Sequence, residues 1–463
     1  MVLTMEDFRT FEPVRDTFAL FGWPVEHTMS PTLHGMLFSL LEKDADYIAV
    51  AVPEDGLAEA LKLAAQKLCG INLTIPHKKA VIPLLDEVDK GALDLGAVNT
   101  VAFRDGRAIG YNTDILGFAE SLKKDGIKLR GKKTLLLGYG GAAAGMGYHC
   151  VREGAHLYIT GRNLEKAGLL RAHLQSCFPA AKIEAVSRRR IPKDIQIIVN
   201  GTPLGMTPHE EKKPLYFLPH KVEYLFDAIY NPPVTALMKL THSRSRHAVT
   251  RDGTFMLVMQ GVHAEKIWFG AQFTDIQTTT ILRRVYGMMA AKRLHEVHGK
   301  RNIALCGFMG AGKTTAGRKL ARMCGMEFYD ADVYLEERAG KAISEIFAEQ
   351  GEEAFRRLET DCLRELAAKK NCVIALGGGA VLRPENVEAI KSSSYLIHLD
   401  TPLGRIIKNL SYSTSRPLLE KGDKNAEIRK LYHARKDIYR SVADTSVRSV
   451  KISTLVESIM KSI

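Results

Sequence analysis

The sequence predicts an α/β protein built from more than one folding unit, and three observations lead there. The chain has 463 residues, which at about 100 to 200 residues per domain means roughly two to four units with ample buried cores. Ahead of Lys132, short β-branched runs such as YIAVAV and INLTI alternate with helical stretches, the alternation that builds helix-covered sheets. An apolar strand, a glycine turn and an amphipathic helix then recur twice, as KKTLLLGYGGAAAGMGYHCVREGA from Lys132 to Ala155 and as RNIALCGFMGAGKTTAGRKLARMCG from Arg301 to Gly325. Each is the pattern of a phosphate-binding crossover.

Composition narrows the class. Hydrophobic residues make up 46%, charged residues 25% and aromatic residues 7%, the proportions of an ordinary folded globular protein without low-complexity tracts. Lysine and arginine total 65 against 52 acids, a formal charge of +13, so anionic partners are expected. The seven cysteines are odd in number and scattered, with no CxxC or zinc-knuckle spacing, and read as reduced cytosolic thiols. The start MVLTMEDFRTFEPVRD mixes charges of both signs, so no secretion signal is expected and the expected location is cytoplasmic. The most apolar stretch, Thr134 to Val151, is interrupted by five glycines and reads as strand, turn and helix, not as a membrane span.

An amphipathic helical stretch near Thr278 to Val297 runs into the polar string HEVHGKRN. The main boundary is therefore expected around Gly299, giving domains over 1–298 and 299–463. The first domain is itself bipartite, with one lobe at about 1–117 and 254–298 and a nucleotide lobe at about 118–253.

In the nucleotide lobe, GYGGAA from Gly138 to Ala143 follows a strand and opens a helix. There backbone amides can approach a pyrophosphate at a helix N-terminus. The next strand, HLYIT, ends in Gly161, Arg162 and Asn163, where a site for the unphosphorylated dinucleotide carries an acid. An arginine there fits a 2′-phosphate, hence NADP.

Further segments occur in one order: FGWPVEHTMSPTLH, GINLTIPHKK, GAVNTV, GYNTD, VNGTPLGM, DAIYNPPVT and MLVMQGVHA. Together they make residues 11–295 resemble the shikimate dehydrogenases. The resemblance implies that Thr28, Ser30, Thr74 and Tyr230 bind the substrate carboxylate and that Asn99, Asp114 and Gln260 hold ring hydroxyls. It also places Gly138, Gly140, Gly141, Ala142, Arg162 and Gly253 at the dinucleotide. Lys78 and Asp114 are the catalytic candidates, since hydride delivery to a ketone leaves charge on oxygen that needs a proton donor and fixed dipoles. A free lysine holds its proton far above neutrality; desolvation or cationic neighbours would loosen it and Asp114 would oppose that, so the expected role is partly electrostatic. Three positions depart from the family pattern: Thr28 replaces a serine, Ile115 a glycine that would leave the nearby loop wider, and Gly161 an asparagine beside the cofactor arginine. His27, His34 and His77 do not make a metal-ligand spacing, and structural or hydrogen-bonding roles are expected.

In the second domain, Gly307 to Thr314 reads GFMGAGKT, a complete GxxxxGK[ST] between strand and helix. With FYDADVYLEERAG, IFAEQGEEAFRRLE, LGGGAV, SRPLL and YHARKDIY, residues 301–463 resemble the shikimate kinases, a P-loop α/β fold of the nucleoside-monophosphate-kinase type. The resemblance puts Gly310, Ala311, Gly312, Lys313, Thr314 and Thr315 at the phosphates, Thr314 and Asp330 at Mg²⁺, and Asp332 as the base that also contacts substrate hydroxyls. Arg356 and Arg435 would hold the substrate carboxylate, for which a planar guanidinium fork is well suited; Gly378 would admit the substrate to the backbone, and Arg416 would belong to the lid over ATP. The triplet Arg188 to Arg190 lacks interleaved aromatics and reads as a solvated loop.

The expected protein is thus bifunctional: NADPH-dependent reduction of 3-dehydroshikimate to shikimate, then ATP- and Mg²⁺-dependent phosphorylation to shikimate 3-phosphate. Its partners are small-molecule substrates, with neither nucleic acid nor membrane; the oligomeric state is not readable. The alternatives are a quinate/shikimate dehydrogenase fused to the kinase, and a catalytically silent ligand-sensing regulator.

Overall fold

The computed structural model describes residues 2–25, 28–411, 424–448 and 451–463. The chain divides into two compact units, Met1–Leu282 and Arg283–Ile463. The division falls inside the helix Asp275–Glu296, whereas the boundary was expected at Gly299. The reason is that the last turns before Gly299 are tied to the far end of the chain: Arg293 Nε and His298 Nε2 both meet the Ile463 carbonyl, at 3.2 and 2.7 Å.

In the first unit, a seven-stranded sheet runs in the order Val2–Leu3, Ala45–Ala51, Asp16–Gly22, Gly70–Leu73, Thr100–Arg104, Arg107–Tyr111 and Glu87–Val88. It is parallel except where Thr100–Arg104 pairs antiparallel with both neighbours. The strands Asp16–Gly22 and Gly70–Leu73 are buried almost throughout, as expected of strands covered on both faces. The chain returns to this lobe through the helix Thr254–Phe269, which packs on the helices Thr113–Lys124 and Ser30–Leu40.

A six-stranded parallel sheet follows, in the order Ile183–Ala185, His156–Thr160, Lys133–Leu137, Ile197–Asn200, Tyr224–Asp227 and Val249–Arg251. Numbered along the chain this is 3-2-1-4-5-6, the doubly wound dinucleotide order, whose ligand crevice lies at the carboxyl ends of the strands where the order reverses. The turn after Lys133–Leu137 sits at that reversal. Gly138 there has φ +106°, a conformation that strains residues with a Cβ, and the helix Gly141–Arg152 starts three residues on.

The second unit holds a five-stranded parallel sheet in the order Glu327–Asp330, Cys372–Ala375, Asn302–Cys306, Ser394–Leu399 and Thr445–Val447. Its first strand in sequence is central, and the phosphate-type turn leaves its carboxyl end into the helix Lys313–Cys324. The architecture is the α/β one expected: a two-lobed unit with a Rossmann-like lobe, then a P-loop unit. Among the described residues, no helix is long and apolar enough to cross a membrane.

Two buried groups in the nucleotide lobe give opposite pH responses. His149 lies edge-on to Phe118, and burial followed by the nearby Arg152 pulls its pKa down to about 4. The unfolded chain therefore binds a proton first as pH falls through about 6.5 to 4, and stability is lost in that window. Burial raises Asp227 to about 6, so its contribution grows as pH falls from about 6 towards 4. His149→Gln is expected to lose less stability than the parent on acidification from pH 7 to 4.5, by up to about 3 kcal/mol. Both tryptophans, Trp23 and Trp268, lie in the first unit, so urea unfolding followed by their fluorescence reads that unit alone; equal acid sensitivity of variant and parent would exclude His149 as the titrating group.

Candidate active sites

The strand Gly70–Leu73 ends in Thr74 and a one-turn helix, His77–Ala80. This turn carries Lys78 half-buried while Lys79 is exposed. Across from it, Asn112 caps the helix Thr113–Lys124 by accepting from the Ile115 amide at 3.2 Å. Asp114 thus falls in the first turn, where a helix favours negative charge. Lys78 Nζ donates to Asp114 Oδ2 at 2.6 Å, with side-chain exposures of 28% and 24%.

Beneath this pair lies a buried polar net. Asn99 Oδ1 accepts from the Thr113 amide at 2.7 Å, and Asn99 Nδ2 donates to Thr113 Oγ1 at 3.1 Å. Asn72 Nδ2 donates to the Asn99 carbonyl and to Thr100 Oγ1 at 3.1 and 3.0 Å, while Tyr47 donates to Asn72 Oδ1 at 2.7 Å. Burial, with Glu265 nearby, pushes the Tyr47 phenol well up, and Ser30 also reaches that hydroxyl. Ser30 in turn accepts from Thr28 Oγ1 at 3.1 Å. The carboxylate candidates Thr28 and Ser30 are therefore joined through Tyr47 and Asn72 to the hydroxyl candidate Asn99. Gln260 sits with its backbone amide beside Gly117, one turn beyond Asp114, and its side-chain Nε2 donates to the Leu257 carbonyl at 3.0 Å. Among the described residues no hydrogen bond joins the side chains of Thr74 or Tyr230 to this net; burial raises the Tyr230 phenol.

Of the departures noted in sequence, Thr28 keeps the hydroxyl contact, and Ile115 is buried against Gly145 of the helix Gly141–Arg152. His34 Nδ1 meets Glu265 Oε1 at 2.6 Å with both side chains fully buried, and its ring stacks on Tyr47 at 4.2 Å. His77 Nε2 meets the Val52 carbonyl at 2.7 Å. His27 lies outside the described residues, among which no three His, Cys, Asp or Glu side chains form a metal-binding group.

At the reversal of the six-stranded sheet, a cleft of about 220 Å³ is lined by Gly138, Gly140, Gly161, Arg162, Thr202 and also Arg188. Gly141 and Ala142 are exposed at the start of the helix behind it. A Cβ at Gly140 or Gly141 would meet no atom, so the open cradle fits a pyrophosphate against free helix amides. Gly253 is pressed on the Ala228 carbonyl, where a Cβ would come within 2.1 Å, a packing reason for glycine at that position.

In the second unit, a cavity of about 450 Å³ gathers Gly310, Ala311, Gly312, Lys313, Thr314 and Thr315 with Asp330, Asp332 and Gly378. Lys313 Nζ donates to the Gly307 and Phe308 carbonyls at 2.9 and 3.1 Å. Thr314 Oγ1 donates to Asp330 Oδ2 at 2.6 Å. This pair of hard oxygen donors beside the phosphate loop suits Mg²⁺. Arg356 is held by Glu359 at 2.8 Å and Glu352 at 3.2 Å, and burial raises the Glu359 carboxyl. Gly379 abuts the Arg356 guanidinium and Gly377 abuts Asp332. Arg435 reaches the phenol of Tyr439, which donates to the Gly378 carbonyl at 2.5 Å. Arg416 lies outside the described residues.

Comparison with known proteins meets this geometry. The shikimate dehydrogenase of Carboxydothermus hydrogenoformans is 39% identical over 255 residues, which cover 54% of this chain and 90% of that protein. The chain belongs to the shikimate dehydrogenase family. The family profile of the shikimate dehydrogenase substrate-binding domain matches residues 20–101, and that of shikimate kinase matches residues 309–463. The protein is therefore a fusion of the two, a bifunctional shikimate-pathway enzyme with oxidoreductase and kinase parts. Crystal structures of shikimate dehydrogenases align with the dehydrogenase part. That of Aquifex aeolicus is 33% identical with a TM-score of 0.53, covering 59% of this chain and 99% of that one. That of Thermus thermophilus in complex with NADP(H) and shikimate is 29% identical with a TM-score of 0.52, covering 58% and 99%.

Sequence reasoning passed over Tyr47, Asn72, Glu359 and Asn409, whose Nδ2 donates to the Gly310 carbonyl at 2.8 Å, and read Arg188, which lines the dinucleotide cleft, as part of a solvated loop. Asn72 left a signal, as the one polar residue of the apolar strand GINL. The GGG turn of the kinase part yields a test. A Cβ at Gly377 would lie 2.6 Å from Asp332 Oδ1, a clash the fold can relieve by turning Asp332 away. Gly377→Ala is expected to lower kinase kcat by about tenfold to a hundredfold with little change in thermal midpoint and with dehydrogenase turnover unchanged; unaltered kinase kinetics would place Asp332 outside the chemistry.

Proposed function

We propose that the dehydrogenase part reduces 3-dehydroshikimate to shikimate with NADPH and that the kinase part phosphorylates shikimate at its 3-hydroxyl with ATP and Mg²⁺. The observation that carries the reading is the Lys78–Asp114 contact on the family's own motifs, matched in the second unit by Asp332 in one cavity with the phosphate loop.

In the dehydrogenase part, Thr28, Ser30, Thr74 and Tyr230 hold the ring carboxylate, and Asn99, Asp114 and Gln260 hold ring hydroxyls. Lys78 stands at the carbonyl, where its ammonium stabilises the developing oxyanion and passes it a proton. Asp114 keeps the lysine aimed. NADPH, when bound, supplies the hydride. Gly138, Gly140, Gly141 and Ala142 leave backbone amides for the pyrophosphate, Arg162 faces the 2′-phosphate and Gly253 closes the wall.

In the kinase part, Arg356 and Arg435 grip the carboxylate of shikimate and Asp332 accepts the hydroxyl proton. Gly378 admits the ring to the backbone. The loop residues Gly310, Ala311, Gly312, Lys313 and Thr315 cradle the phosphates. Mg²⁺ held by Thr314 and Asp330 would neutralise phosphate charge, and Arg416 belongs to the segment covering ATP.

Two separable activities follow. With 3-dehydroshikimate, NADPH, ATP and Mg²⁺ present, NADPH loss and ADP formation are recorded separately. Lys78→Met is expected to reduce the first by roughly a hundredfold to ten-thousandfold while leaving phosphorylation of added shikimate intact, and Lys313→Met the reverse. A variant that keeps its own reaction refutes that residue's role, and replacing 3-dehydroshikimate by its quinate counterpart at equal kcat/KM would favour the broader substrate reading.

A further inference from the structure

The arginines Arg188 to Arg190 form a single 3-10 turn directly after the strand Ile183–Ala185, but they are not equivalent. Arg189 and Arg190 are exposed, whereas Arg188 is half-buried and lines the dinucleotide cleft together with Arg162. Sheet order brings this about. The strand Ile183–Ala185 pairs in parallel with His156–Thr160, with Ile183 opposite Leu157 and Ala185 opposite Ile159, and the Val186 amide extends the ladder to the Ile159 carbonyl at 2.9 Å. The turns that leave these two strands, one carrying Arg162 and the other Arg188, therefore emerge side by side at the carboxyl edge.

A second observation concerns the position next to Arg162. Tyr139, inside the glycine turn, lies over Gly161 so closely that a Cβ there would be 2.5 Å from the ring. Gly161 itself brings no side chain to assist Arg162, and the neighbouring turn sets Arg188 on the same cleft wall. Two guanidinium groups on one wall repel each other and favour a dianion that both can hold.

We infer that Arg188 is a specificity-determining residue of the dehydrogenase, sharing with Arg162 the 2′-phosphate that distinguishes the phosphorylated dinucleotide. The inference rests on the reading of this cleft as the NADP site. It turns part of the basic triplet from solvated surface into cofactor recognition.

The test uses the full-length chain and its Arg188→Gln, Arg162→Gln and Arg189→Gln variants, without substrate. Binding of NADPH, NADH, 2′,5′-ADP and 5′-AMP is titrated directly by calorimetry. Arg188→Gln is expected to weaken NADPH and 2′,5′-ADP by about tenfold, as loss of a charge-assisted contact does, and to leave NADH and 5′-AMP within about twofold. Retained binding of the unphosphorylated ligands also reports a folded lobe. Arg189→Gln is expected to change none of the four. Equal weakening of all four ligands, or no weakening of any, overturns the role of Arg188. A parent protein that binds 2′,5′-ADP no better than 5′-AMP overturns the NADP reading itself, a failure distinct from that of Arg188.

Discussion

The contact between Lys78 and Asp114 joins a one-turn helix after a central strand to the first turn of the helix Thr113–Lys124. Its own energy is small, because a half-exposed ion pair contributes about 0 to 1 kcal/mol. What fixes it is the buried net underneath. Asn99 receives the Thr113 amide, Asn112 caps Ile115, and Asn72 ties Asn99 to Tyr47. Asn72, Asn99, Asn112 and Thr113 are buried polar groups that would be costly without their partners, so the net is held together by the penalty of breaking it. The Lys78–Asp114 pair inherits that rigidity, and so does the spacing between the Thr28–Ser30 end and the Asn99 end.

The kinase part meets a related constraint differently. Arg356 is already engaged by Glu359 and Glu352, and a guanidinium has five donors to distribute. The Glu359 contact, with both groups largely buried, fixes the plane of the fork. The Glu352 contact is made by a carboxylate that is 63% exposed, so the Arg356 donors that meet it can be released at little cost. The guanidinium is thus shared between two acids of unequal burial. The GGG turn completes the division, because Gly377 and Gly379 let Asp332 and Arg356 approach the backbone from either side of Gly378.

Much of this was legible in the chain. Apolar strands followed by glycine turns marked both strand–turn–helix crossovers, and ordered motifs singled out Lys78 and Asp114, which the fold brings into contact, and Asp332, which it sets in one cavity with the phosphate loop. What stayed hidden depends on contacts between segments distant in sequence. The compact division lies within the helix Asp275–Glu296 because its end meets Ile463, a partner 170 residues away that leaves no mark on an unbroken helical pattern. The burial of Glu265 against His34 has the same origin, the two being 231 positions apart in the chain. Arg188 looked like solvated surface because only the strand order 3-2-1 sets its turn beside that of Arg162. Gly161 stood out in sequence only as a departure from the family pattern, and the structure shows the Tyr139 ring packed over it.

The two nucleotide sites also show why one basic chain needs two kinds of anion device. In the kinase part the phosphates are contiguous, and the turn that receives them has φ of +142°, +75° and +92° at Gly307, Gly310 and Gly312. Such left-handed φ values are open to glycine at little cost, and Lys313 adds a compact point charge to the same cavity. A phosphorylated dinucleotide instead carries two anionic groups at separate places, a pyrophosphate between the nucleosides and a phosphate on one ribose. A single turn cannot face both. The helix start at Gly141 suits the first, and the second calls for side chains from neighbouring strand exits, which only a parallel sheet with adjacent crossovers sets in a row. The charge of +13 then acquires its meaning from where a few cations stand relative to strand ends, not from its sum.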